Sequence, residues 1–353
     1  MHSFKSLYIF FVVLALNLFF FSTTNLSAKA FLVEEIEISE PFKNNFDKNS
    51  LINKGFKSAF YKLINSLIKS SDFEKINTIK LNEIKSMIES FSIKEEKFIN
   101  QTYYVNIGVS FDKKKVLNYL EKKNIFPAQI IKETFLFIPI IIDQDDADIL
   151  IFSNNPLYKK WNQLNDKAHS INYLLPTEDL EDLNLIKNRS ENIENYDFRE
   201  IIEKYFLNHS IILLIFKNEN ETKVLSKINI KQKTIIKNNS FKNFNFKDDN
   251  EIQVLIKELK IIYEDLWKEY NQINTSIKLP LLIRVNNKDL NTSLKFEKVL
   301  DDIDLISNYS INNFSNDFIY YEVIFNGTPK NFINIMNNQN LNFDTQKKIW
   351  TLK

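Results

Sequence analysis

The chain contains no cysteine in 353 residues. No disulfide can staple it, so the fold rests on buried apolar faces alone, and those faces are read from hydrophobic period. Phe31 to Ile38 is strand-like, and Ile52, Phe56, Ala59, Phe60, Leu63, Ile64 and Leu67 recur behind it at helical spacing. A short helix around Leu81 to Ile88 and a strand from Phe91 to Lys97 follow. Tyr103, Val105, Ile107, Val109 and Phe111 then alternate as a half-buried strand, and Asp112 is placed to cap a helix that turns Val116, Leu117 and Leu120 inward. The order strand, helices, hairpin, helix predicts an α+β sandwich over residues 31–126.

Residues 127–274 read differently. Phe135 to Ile142 is a continuous apolar run of the buried-strand type, and Ile149 to Phe152 is a second. Asn155-Pro156 is a cap followed by proline at the first helical position, with Leu157, Trp161 and Leu164 on the inner face. Ile171 to Leu175 reads as a strand, and Ile211 to Phe216 with Val224 to Ile230 as a hairpin. Ile252, Leu255, Ile256, Leu259, Ile262, Tyr263, Leu266 and Trp267 mark a long helix. This segment is expected to be an α/β-like middle domain. Residues 275–353 give the order strand, helix, two strands, helix, strand, which is ferredoxin-like βαββαβ, with Gly327-Thr328-Pro329 as the last turn into a helix. The whole is therefore an α+β multi-domain chain.

The run LINKGFKSAFYKLINSLIKSS, a short helix, a strand pair and VSFDKKKVLNYL, followed by FLFIPIII, the Trp161 helix and YLLPTEDLEDLNLI, resembles the exported bacterial family catalogued as domain of unknown function 2066. The likeness covers most of the chain after residue 30 and rests on packing and turn patterns, with no reactive groups. It departs at Ser70-Ser71, where many members carry a glycine closing the first long helix. The resemblance implies an envelope protein of Gram-negative bacteria with no assigned activity. Asp182 falls on a motif of that family whose role is not established.

The N-terminus agrees with export. Met1 to Lys5 is a short basic start, LYIFFVVLALNLFFF (7–21) is almost unbroken apolar sequence, and Ser27-Ala28-Lys29-Ala30 has the small-x-small pattern of a signal-peptidase site. The run is about 15 residues, short of the ~20 that cross a bilayer as a helix, so residues 1–30 read as a cleaved signal and the exported chain as starting at Phe31 without a stable membrane span. With no cysteine after the cleavage point, lipid attachment of the bacterial lipoprotein kind is excluded. Loss of Lys5 and Lys29 turns 46 basic and 45 acidic residues into 44 and 45. That near-neutral balance argues against a nucleic-acid partner, whose phosphates call for a basic surplus. The 43 lysines beside only Arg189, Arg199 and Arg284, and the abundance of Asn and Ile, look like nucleotide bias in an AT-rich genome. Asn-x-Ser/Thr matches such as Asn100-Gln101-Thr102 are discounted for that reason.

Two acidic stretches could carry chemistry. In IIIDQDDADILIF (140–152), a calcium loop beginning at Asp143 would need glycine at its sixth position and glutamate at its twelfth, where Asp148 and Asn154 stand; both flanks are strand-like, and the aspartates read as a solvated hairpin turn without a required metal. In PTEDLEDL (176–183), Thr177 is placed to cap a helix whose first turn carries Glu178, Asp179 and Glu181. His169 and His209 are the only histidines after residue 30, too few for a histidine-based zinc centre, and His209 reads as a structural residue. Gly55, Gly108 and Gly327 are too scattered for a phosphate-cradling loop or a nucleophile elbow. Trp161, Tyr263, Trp267 and Tyr270 read as core. No catalytic, cofactor-binding or metal residue is assigned, and no cofactor is expected. The chain is expected to be a non-catalytic periplasmic interaction or assembly factor with envelope partners. The alternatives are a small-molecule or lipid-binding protein with a cleft between the first two domains, and a metal-assisted hydrolase built on Asp143, Asp145, Asp179 and Asp182.

Overall fold

The computed structural model describes residues 30–164, 169–218, 221–231, 233–242 and 244–353. The signal-segment reading falls almost wholly outside them, as does the side chain of Leu164. The chain is α+β and multi-domain, with three separate sheets. Its contacts group it into two compact units. One comprises the described residues up to Leu51, Asn82–Asn118 and Leu279–Lys353. The other comprises Ile52–Leu81 and Tyr119–Lys278.

In chain order, β1 (Ala30–Pro41), α1 (Lys48–Leu67), α2 (Leu81–Met87), β2 (Ile88–Ile99), β3 (Thr102–Asp112) and α3 (Lys113–Lys122) come first. The strands form an antiparallel sheet in the order β1-β3-β2. Asn100 and Gln101 both have positive φ, the two-residue hairpin geometry whose twist matches its strands. Val105, Ile107, Val109 and Phe111 of the central β3 are fully buried, as alternation predicts. Asp112 caps α3 by accepting from the Lys115 N–H at 3.0 Å.

The second unit is built on β4 (Glu133–Asp143), β5 (Asp148–Leu150), α4 (Pro156–Lys160), β6 (Ile171–Leu174), α5 (Leu180–Lys187), α6 (Arg199–Glu203), β7 (His209–Lys217), β8 (Glu221–Ile230), β9 (Lys233–Lys242) and α7 (Asp249–Tyr270). The sheet order is β5-β4-β7-β8-β9, with β6 also beside β4. β4 runs parallel to both β6 and β7 and buries both faces. Phe135, Phe137 and Ile141 meet Trp161, Tyr263 and the rest of the inner stripe of α7, whereas Leu136, Ile138, Ile140 and Ile142 meet Ile186, Ile193, Phe198 and Ile201. Two-sided burial explains why its sequence reads as an unbroken apolar run. Pro139 fits mid-strand because β6 ends opposite Leu136 and β5 begins opposite Ile141; in the gap, the Asn155 side chain donates to the Pro139 carbonyl at 3.0 Å. The same Asn155 caps α4, accepting from the Leu157 N–H at 2.9 Å ahead of Pro156.

β10 (Leu279–Asn286), α8 (Leu290–Asp302), β11 (Ile306–Phe314), β12 (Phe318–Phe325), α9 (Pro329–Asn338), β13 (Phe343–Asp344) and β14 (Trp350–Leu352) complete the first unit. Their sheet order is β11-β12-β10-β14-β13 around Ile283, Phe296, Tyr321, Phe325, Phe332 and Met336. The βαββα order expected from the sequence is present, but its ending differs. A right-handed return from β12 through α9 must arrive parallel to β12. The two-residue β13 does so at the sheet edge, and β14 then turns back between β13 and β10, antiparallel to the first and parallel to the second. A ferredoxin-like module would place one antiparallel strand there.

Candidate functional site

The aspartate-rich stretch is a hairpin turn. Asp143 and Asp148 pair across β4 and β5, and the turn between them is exposed. Asp143 itself is buried, unlike the solvated group expected. Its carboxylate accepts from the Lys217 ammonium on β7 and from the Asp145 and Asp146 N–H groups. Burial by itself would raise this carboxyl, and the Lys217 hydrogen bond with the two amides more than offsets it, so its pKa lies below the ordinary value. Asp148 faces Lys187 at 3.4 Å.

In the second acidic stretch the helix begins two residues later than Thr177 predicts. Asp179 is the cap of α5, accepting from the Glu181 N–H at 2.8 Å, while the Thr177 N–H donates to the Tyr205 hydroxyl and Glu178 accepts from the Ser153 N–H. Thr177 stands two residues upstream with its N–H and hydroxyl both turned to the Tyr205 hydroxyl, which leaves the cap to Asp179. Asp182 is 1% exposed and bound to Lys204 at 2.6 Å. Asp143 and Asp182 thus each have a lysine partner of their own. Among the described residues no group of three His, Asp or Glu side chains is placed to hold a metal ion.

His209 is enclosed. Phe135 stacks on it at 4.8 Å, Trp267 meets its edge at 5.4 Å, Nδ1 accepts from the Lys231 N–H at 3.3 Å, and Nε2 lies 3.9 Å from Glu133. Burial lowers its pKa, so the ring is neutral at pH 7 with its proton on Nε2. It borders a cleft of about 810 Å³ whose wall includes Arg199, Lys227, Lys231, Asn229, Ser210 and Thr234. Arg199 is paired with Asp197 at 2.5 Å, and Lys227 donates to the Glu194 carbonyl. This cleft lies inside the second unit.

Trp161, Tyr263 and Trp267 are core, whereas Tyr270, expected with them, is 41% exposed and stacks on Trp267 from the outside. Trp161 stacks on Phe137 at 3.8 Å, and Trp267 donates to the Ile131 carbonyl at 2.8 Å. What period reading did not flag is that α7 also buries Lys260, whose ammonium lies over the Trp161 and Tyr173 rings and donates to the Trp161 carbonyl at 2.8 Å, and Glu264, which accepts from the Ile171 N–H at 2.8 Å. Lys260 sits four residues after Ile256 and three before Tyr263, so the helical stripe already contained the signal.

β2 presents an open strand edge, although Lys94, Glu96 and Phe98 have side-chain partners in Glu34, Lys48 and Phe42. As a strand it pairs with β3 alone among the described residues, eleven of its twelve residues are exposed, and Phe91, Ile93, Phe98 and Ile99 are between 41% and 60% exposed. No helix among the described residues is long and apolar enough to cross a membrane. A scan against protein-family models matches none, and no curated protein matches the chain.

Proposed function

We propose that this chain is an exported, non-catalytic interaction or assembly factor of the Gram-negative envelope, like the family its sequence resembles, and that it takes a polypeptide partner by strand addition at β2. The observation that carries this reading is the open edge itself. A strand of twelve residues offering a row of backbone donors and acceptors beside exposed Phe and Ile side chains is a ready template for another strand, and main-chain bonds would supply affinity while the side chains supply selectivity. The inventory of reactive groups points the same way, because Asp143, Asp182 and His209 are each engaged in packing or pairing. The test is photo-crosslinking in cells from a reactive residue placed at Ile99. A polypeptide adduct in the periplasmic fraction, lost in an Ile93→Lys variant that still folds, supports the reading. No adduct, or one indifferent to that variant, sinks it. Recovery of intact Met1 in the membrane pellet would remove the export part.

A second reading rests on the 810 Å³ cleft, whose lining carries Arg199, Lys227 and Lys231 against Asp197 and Glu203, a small cationic surplus that suits a small anionic ligand. Thermal-shift screening of small carboxylates and phosphates separates it from the first. Stabilisation abolished by Lys231→Ala would favour it.

A further inference from the structure

We infer that the strand added to β2 is the β2 of a second copy of this chain, joined antiparallel about a two-fold axis in one register. This deepens the proposal above, and rests on its reading of β2 as the interacting edge.

Most of the other sheet edges are short or carry features that resist pairing, and the remaining one, β11, has no charge pattern to select a partner strand. β5, β6 and β13 have two to four residues. β1 carries Glu34, Glu35, Glu37 and Glu40, a bulge at positive-φ Glu35 and a terminal Pro41. β9 carries Lys233, Lys237 and Lys242 and no acid. Runs of one charge sign on an edge repel a second copy of the same edge, which is how sheet proteins block self-addition. β11 has no charge at all and offers nothing to fix a register. β2 alone mixes signs, as Ile88-Glu89-Ser90-Phe91-Ser92-Ile93-Lys94-Glu95-Glu96-Lys97-Phe98-Ile99.

The sign pattern selects the register. Across β3, Phe91, Ile93, Glu96 and Phe98 lie opposite Val109, Ile107, Val105 and Tyr103, so they share one face, with the ladder irregular at Lys94. Antiparallel self-pairing that keeps like faces together sets Phe91 against the second copy's Phe98, Ser92 against its Lys97, Ile93 against its Glu96, and Lys94 against its Glu95. Opposite charges then meet at the dyad, and aromatic rings meet on either side of it. A shift of two residues one way sets Lys94 against Lys97 and Glu95 against Glu96. The shift the other way sets Phe91 against Glu96 and Ile93 against Lys94. A shift of one residue opposes the wrong faces. Of the three registers that keep like faces together, this one alone sets neither like charges nor an aromatic ring and a charge opposite each other; its one mismatch is Ile93 against Glu96, whose carboxylate is held by Lys48, and a self-complementary patch of this kind is what a closed two-fold interface requires.

Because the chain has no cysteine, introduced thiols report contacts without background. In the full exported chain, Ser92→Cys/Lys97→Cys is expected to oxidise to a doubly linked dimer, whereas Ser92→Cys/Glu95→Cys, which samples the shifted register, is not. Light scattering of the unmodified chain is expected to give twice the monomer mass. Lys94→Glu should weaken association by about tenfold by setting carboxylate against carboxylate in both pairs at the dyad, and Lys94→Glu/Glu95→Lys should restore it; that rescue also excludes misfolding as the cause of the loss. A monomer at every concentration, open-ended oligomers such as β1 on β9 would build, or crosslinking only in the shifted register overturns the inference. If the monomer still yields a β2-dependent adduct with another envelope protein, the two-fold dimer falls while the proposed function stands.

Discussion

Asp182 and Lys204 show how a carboxylate can be prominent in sequence and structural in the fold. The aspartate is almost fully enclosed and the lysine remains about one-third exposed. Removing the lysine strands a buried charge, whereas removing the aspartate frees a lysine that already reaches toward Asp179 and Glu181. We therefore expect Lys204→Met to destabilise the fold more than Asp182→Asn does. Urea midpoints at constant slope decide this, and the reverse order would mean that Asp182 is solvated. His209 gives a pH signature. Its folded pKa lies below the ordinary value, so the unfolded chain binds the extra proton first; the stability is complete above about pH 6.5 and declines as pH falls below that, toward the lowered folded value. Asp143, also depressed, acts in a lower window, with its contribution lost below about pH 4. The pH dependence of unfolding between pH 5 and 7 should flatten in His209→Phe. A profile unchanged by that substitution would show that the ring is already solvated in the native state.

At the scale of elements, the turn into α9 is the most exacting join. A Cβ on Gly327 would stand 2.6 Å from the ring of Phe325, which is itself buried against Phe332. Gly327→Ala should cost about 1–3 kcal/mol through overpacking, measurable as a lowered melting temperature. Deleting residues 347–353 removes β14 and leaves β10 and β13 without their shared neighbour, so a large loss of cooperativity is expected on urea titration. Elements with two-sided or strictly periodic burial were legible in the sequence: β4 and β7 from apolar runs, α7 from its stripe, and α4 and α9 from Asn155-Pro156 and Thr328-Pro329. What escaped has physical reasons. β9 reads KTIIKNNSFK, where Asn and Lys interrupt alternation because the strand is a solvated edge. The reversed ending of the last sheet depends on β13, whose two residues hold no period at all. The paired states of Asp143 and Asp182 depend on Lys217 and Lys204, 74 and 22 residues away, and no local pattern announces such partners.

Taken as a whole molecule, the two compact units are interleaved along the chain. It passes from one to the other after Leu51, Leu81, Asn118 and Lys278; the passage at Leu81 falls on the first residue of α2, and those at Leu51 and Asn118 fall deeper inside α1 and α3. A helix is cooperative along its length, so melting one half of α1 or α3 removes hydrogen bonds from the other. Continuous helices shared in this way transmit unfolding where a flexible linker would not. The expected result is one transition for the whole chain, and the tryptophans allow the units to be followed separately, since Trp161 and Trp267 belong to one and Trp350 to the other. Trp161→Phe/Trp267→Phe leaves Trp350 as the sole fluorophore of the first unit, and Trp350→Phe leaves the pair in the second. Each variant should show coincident midpoints by fluorescence and by far-ultraviolet circular dichroism, because both probes then report one all-or-none event. Fluorescence of Trp350 moving at a denaturant concentration where circular dichroism still shows most of the helix intact would mean that the first unit opens by itself, and that the helical passages at Leu51 and Asn118 behave as hinges.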